Sequence, residues 1–216
     1  MQKELFKHGP LYKTRFDIVH DLTPLIKDGD ILFRLGGEKF LFLSFSKLVA
    51  KMTESKWSHA SIAMVRNNEV WVLEVNDRGT LEYKLIDWFD YCTSGTFAIY
   101  RVKNLMEEQR KSVRKECEKF LLNDPDYDFT FNDPGKFYCT ESVVEIYKNC
   151  GIELVKPDLM KNLISPYYYN IVKPINWIVS KFSNKCLPVN EPVYVVGNEK
   201  KGILSSDKLQ CIYDYS

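Results

Sequence analysis

Two side chains in this sequence, the thiol of Cys139 and the imidazole of His59, have the types and settings needed for covalent hydrolytic chemistry. Cys139 lies in Gly135-Lys136-Phe137-Tyr138-Cys139-Thr140-Glu141-Ser142-Val143-Val144, behind a Pro134-Gly135 break. The spacing predicts a helix over Phe137 to Asn149, ended by Gly151, with Cys139 in its first turn. Unpaired backbone N–H groups and the helix dipole favour a thiolate there, and a neighbouring N–H can face an oxyanion. A thiol nucleophile also needs a base. The histidines are His8, His20 and His59, and only His59 sits on a well-defined strand with polar neighbours. Each residue also has a plainer reading: Cys139 as one of a buried stripe with Val143, Ile146 and Cys150, His59 as a structural imidazole.

The elements that must position this pair begin with a hairpin. Ser58 to Arg66 and Glu69 to Asn76 read as strands joined by an Asn67-Asn68 turn. Alternation puts Ala60, Ile62 and Met64 on one face and His59, Ser61, Ala63 and Val65 on the other. The small residues beside His59 suggest that the Cys139 helix approaches this second face. Counting from the turn, Asn76 lies opposite His59 and Glu74 lies diagonally, about 7–8 Å away between backbones. Either can hold the imidazole in one tautomer. Glu74 interrupts the apolar run Val70-Trp71-Val72-Leu73-Glu74-Val75, so it is either on an exposed face or paired.

Around the hairpin, Asp28-Gly29-Asp30 reads as a turn into a strand over Ile31 to Arg34. Phe40 to Met52 reads as a helix, Thr80 to Leu85 and Thr96 to Val102 as strands, Ile86 to Tyr91 as a helical turn, and Met106 to Leu122 as an amphipathic helix. Strands precede helices and pair mostly antiparallel, which is an α+β pattern. The proline- and tyrosine-rich tail, residues 157–216, holds one expected strand, Pro192 to Val196. It reads as an extension wrapping the body of a single domain spanning 1–216.

The 216 residues carry a net charge of +1, without the basic footprint of a nucleic-acid binder. No apolar stretch spans a bilayer, and the first residues lack an export signal, so a cytoplasmic setting is expected. The six cysteines, Cys92, Cys117, Cys139, Cys150, Cys186 and Cys211, show no C-x-x-C spacing, and none has a histidine close by in sequence. No metal or cofactor is expected.

Four segments together resemble the circularly permuted NlpC-type papain-like hydrolases, in particular the YiiX-like group. They are Asp28-Gly29-Asp30-Ile31-Leu32-Phe33, Trp57-Ser58-His59-Ala60, Val72-Leu73-Glu74-Val75 and Phe137-Tyr138-Cys139-Thr140-Glu141-Ser142-Val143. Tyr100-Arg101-Val102 and Tyr127-Asp128 also fit. The order His, Glu, Cys is the permuted one, since unpermuted relatives place Cys first. The resemblance implies a papain-like antiparallel β-barrel or sheet packed against the Cys-bearing helix. It implies Cys139 as nucleophile, His59 as base and Glu74 as orienting residue, with Tyr127, and beside it Tyr138, as substrate or oxyanion contacts; Asn76 stays the alternative orienting residue that the hairpin register offers. The expected activity is cleavage of an amide, in a small or cell-wall-type peptide, through a thioester. A lipid acyl hydrolase or transferase with peripheral lipid contact, and a non-catalytic binding module, stand as the competing readings.

Overall fold

The computed structural model describes residues 6–8, 11–36, 39–40, 43–76, 78–92, 95–122, 124–125, 136–179 and 189–215. Its centre is a six-stranded antiparallel sheet. In chain order the strands are β1 (Ile31–Arg34), β2 (His59–Arg66), β3 (Glu69–Asn76), β4 (Gly79–Lys84), β5 (Phe97–Val102) and β6 (Leu209–Tyr215). They lie side by side as β6-β5-β1-β2-β3-β4. The helices are α1 (Arg15–Leu22), α2 (Phe45–Met52), α3 (Leu85–Trp88), α4 (Glu107–Phe120), α5 (Cys139–Asn149), α6 (Met160–Leu163) and α7 (Pro166–Val179).

The hairpin follows its local chemistry. Arg66 pairs with Glu69, and Asn67 and Asn68 both take positive φ, at 51° and 63°. A two-residue turn of this twist demands that conformation twice, and Asn tolerates it better than most residues. The expected helix over Phe40 to Met52 is shorter in the structure. Lys39–Phe40 and Leu43–Ser44 pair as antiparallel strands, and α2 starts only at Phe45. A short apolar run carries no period that separates strand from helix.

Both faces of the sheet are covered. Ile31, Phe33, Ala60, Ile62, Met64 and Leu73 pack against Val113 and Cys117 of α4 and Val143, Val144, Ile146 and Tyr147 of α5. On the opposite face Leu32, Ala63, Val72, Phe97 and Ile99 meet Ile18 and Leu22 of α1, Leu85 and Trp88 of α3, and Phe89. The Cys139 helix therefore packs on the Ala60 face, and not on the His59 face that the small side chains suggested. Ser61 and Ala63 make room instead for α1 and for the Trp88 indole.

Two of the family-like segments brace this arrangement. Asp30, fully buried, receives a two-pronged contact from Arg101, with Nε at 2.7 Å and Nη2 at 2.6 Å, tying the start of β1 to β5. The Tyr147 hydroxyl of α5 donates to the Gly29 carbonyl, and the Gly29 N–H donates to the Ala63 carbonyl at 2.9 Å. Gly29 has φ 83°, and a Cβ there would sit 2.9 Å from the Tyr147 hydroxyl. Gly29→Ala should therefore cost about 2–3 kcal/mol, from left-handed strain plus a shifted α5. Gly151, at φ 75° with open space around it, supplies the comparison. Gly151→Ala should cost only about 1–2 kcal/mol of strain. Equal losses of thermal stability in the two variants would mean that the Tyr147 contact carries nothing.

The chain after Pro157, with α6 and α7, joins α2 in a third, smaller core of Met52, Met160, Leu163, Ile164, Val172, Val193 and Val195. The strand expected over Pro192 to Val196 is confined to Pro192–Val193, which pairs with Asp158–Leu159. Among the described residues no helix is long and apolar enough to cross a membrane.

Candidate active site

The first residue of β2 meets the first residue of α5. Cys139 follows the N-cap residue Tyr138, so its thiol stands at the open end of the helix, partly exposed. The nearby His59 imidazole, the Ala60 N–H and the Thr140 hydroxyl, whose oxygen lies 3.6 Å from Sγ, all favour the thiolate. Burial pushes the thiol the other way, yet His59 and these donors prevail and hold Cys139 below its ordinary value. Cys92, Cys117, Cys150 and Cys211 are all held above theirs, in each case chiefly by burial. Cys186 lies outside the described residues.

His59 is 5% exposed, and its Nε2 lies 3.3 Å from Glu74 Oε2. Burial and the nearby Arg34 both disfavour an imidazolium here. Glu74 and Cys139 outweigh them, and His59 is pushed up to about 10. Glu74, 1% exposed, is held well below the carboxylate range: burial opposes its charge, but His59 and Arg34 more than compensate.

The surroundings of Glu74 were not foreseen from the sequence. Arg34 Nη2 donates to Oε1 at 2.7 Å and Arg34 Nε to Oε2 at 3.3 Å. The Trp88 indole N–H donates to Oε2 at 2.8 Å, the Ser61 hydroxyl to Oε2 at 3.1 Å, and Asn76 Nδ2 to Oε1 at 3.0 Å. These five hydrogen bonds fill the roughly four lone-pair directions a carboxylate offers. The His59 ring N–H consequently has no well-directed bond to Glu74, and the two interact as charges in close contact. Arg34 ends an otherwise apolar, fully buried strand and stands directly across from His59 in the β1–β2 ladder. A cation in that setting demands a partner, which was the available signal.

Of the other expected site residues, Asn76 supports Glu74, and its own Oδ1 accepts the Arg78 N–H at 2.9 Å. Tyr138 is buried, and its hydroxyl accepts the Tyr194 N–H at 2.6 Å, so that hydroxyl is directed into the core. Tyr127 lies outside the described residues. His20 is exposed at the end of α1, 3.6 Å from Asp21. The structure thus unites Cys139, His59, Glu74 and Asn76, and adds Arg34, Ser61 and Trp88.

Comparison with known proteins bears on the fold and the family. A search of curated sequences finds the uncharacterized protein YiiX of Escherichia coli strain K12, 28% identical over 123 residues, or 56% of this chain and 57% of that protein. The match thus covers just over half of the relative's length. Among solved structures, yiiX from Escherichia coli O157:H7 superposes with a TM-score of 0.69, covering 87% of this chain and 97% of the other at 22% identity. That protein is described as a metalloprotein. Among the described residues of this chain no three His, Cys, Asp or Glu side chains are grouped to hold a metal ion, and the Glu74 oxygens already accept from N–H and O–H donors. The family model for permuted papain-like amidases of the YaeF/YiiX, C92 type matches residues 25–189. With that match over most of its length, and with the α+β fold it shares with yiiX, the chain belongs to the permuted papain-like amidase family.

Proposed function

We propose that this chain is a cysteine amidase that cleaves a peptide or related amide through a thioester, with Cys139 as nucleophile, His59 as general base and acid, and Glu74 as its orienting carboxylate. The observation that carries this reading is the meeting of a depressed thiol with an imidazole backed by a buried, ionised carboxylate. The Cys139 thiolate adds to the carbonyl carbon, and the developing oxyanion lies near backbone N–H groups of the first turn of α5. As the C–N bond breaks, the His59 imidazolium gives its proton to the departing amine. Neutral His59 then takes a proton from water as water attacks the thioester. The C–S bond breaks, the carboxylic acid leaves, and the thiolate–imidazolium pair is restored. A cytoplasmic amide substrate fits this reading.

The test is selective alkylation. Under limiting iodoacetamide at neutral pH, peptide mapping should find Cys139 labelled at least about tenfold faster than any other cysteine, because the thiolate is the reacting form. Preferential labelling of Cys92 or Cys186 would overturn the assignment.

A further inference from the structure

We propose that Arg34 is a positioning residue of this site: its guanidinium fork fixes the Glu74 carboxylate and offsets its charge, so that His59 can release its proton to a leaving group. The inference rests on Cys139 and His59 being the reacting pair.

The geometry carries it. Arg34 is 1% exposed and bonds both Glu74 oxygens, while its Nη1 donates to the Tyr91 carbonyl at 2.9 Å. It is also the β1 residue directly opposite His59. The Glu74 carboxylate is therefore in contact with both the imidazole, 3.3 Å away, and the guanidinium of the residue paired with His59 on the adjacent strand. An isolated buried carboxylate at that distance would hold the imidazolium too firmly for proton release. A cation with no carboxylate would loosen the proton and shift its release to lower pH. The paired charges give a field between these limits, and the fork, the Trp88 indole and the Ser61 hydroxyl prevent the carboxylate from rotating.

Other groups face the same cluster. From β3 comes Asn76, which donates to Glu74, and from β4 Tyr83, which Asn76 Nδ2 also reaches at 3.4 Å. Cys92 lies beside Arg34 and Glu74 with its thiol kept protonated by burial. Arg78 lies farther out, over the Tyr91 ring. On the other side is Cys139 of α5. Arg34 is thus the buried cation directly across from the imidazole.

The probe is iodoacetate, whose negative charge makes alkylation of Cys139 depend on both the thiolate and the imidazolium. Its rate against pH should be bell-shaped in the wild type, with the basic limb reporting His59. Arg34→Gln should move that limb up by about one pH unit, and Arg34→Lys should return it to near the wild-type position. If Arg34→Gln fails to fold, Glu74→Gln is compared with the double variant Glu74→Gln plus Arg34→Met. Removing Arg34 on that background should again raise the basic limb by about one unit. A limb that stays still in both comparisons, or that moves down, overturns the role of Arg34 while leaving the proposed reaction intact. A wild-type Cys139 that reacts as an ordinary thiol, without a bell, overturns both.

Discussion

Cys139→Ala is expected to abolish amide hydrolysis while leaving the fold unchanged. No other described cysteine has a lowered thiol or an imidazole beside it, so nothing can take its place. His59→Ala should reduce turnover by about 10²–10⁴-fold, the range supplied by a positioned general acid–base. Stability should hardly change in Cys139→Ala, because Cys139 is only partly buried. His59→Ala should lose the stability that the raised imidazolium supplies, although Glu74 stays paired to Arg34, Trp88 and Ser61. In Cys139→Ala activity and stability should therefore separate: a wild-type melting temperature with lost turnover. Residual hydrolysis in Cys139→Ala above about a thousandth of wild type would mean that the thiol forms no obligatory intermediate.

The parts of this site that could be read from the sequence are those fixed by local chemistry. Asn67-Asn68 specifies the turn, the turn specifies the register, and the register sets Glu74 within reach of His59. The Pro134-Gly135 break and the apolar spacing after Cys139 place the helix start to within two residues. Arg34 and Trp88 were not legible, because their partner lies 40 and 14 residues away and is reached only through sheet pairing and the return of α3. The face on which α5 packs was misread for the same reason. Small side chains beside His59 indicate a close neighbour, and only the assembled sheet shows that the neighbour is α1 and the Trp88 indole. Strand β6 escaped notice because its register shifts between Cys211 and Tyr213, so the period of two that marks a strand is interrupted. Asn76 stands directly behind Glu74, which makes it an indirect partner of His59. Asn76→Ala should accordingly be milder than Glu74→Gln, and the reverse order would exchange their roles.

Glu74→Ala should be the most destabilising single substitution in the site, at about 3–5 kcal/mol, the cost of breaking a buried ion pair by removing one partner. It leaves the Arg34 guanidinium 1% exposed with no counter-charge, and it orphans the Trp88 N–H and the Ser61 hydroxyl. Pairing Glu74→Leu with Arg34→Met should recover most of that loss, since apolar replacement of a whole buried pair is often neutral or better. The pH dependence follows from the signs of the two shifts. Glu74 is held below its ordinary 4.5, so its contribution is complete above that value and is lost as pH falls through the folded-state pKa. His59 is raised from 6.5 to about 10, so its contribution is complete below 6.5 and fades as pH climbs to about 10. Wild-type stability from this cluster should thus be greatest between about 4.5 and 6.5, with both limbs flattened in the Glu74→Leu plus Arg34→Met variant, where neither charge remains. Urea midpoints measured across pH for the wild type, Glu74→Ala and the double variant give the comparison directly. If Glu74→Ala costs under about 1 kcal/mol, the carboxylate is not the buried anchor that its five hydrogen bonds imply.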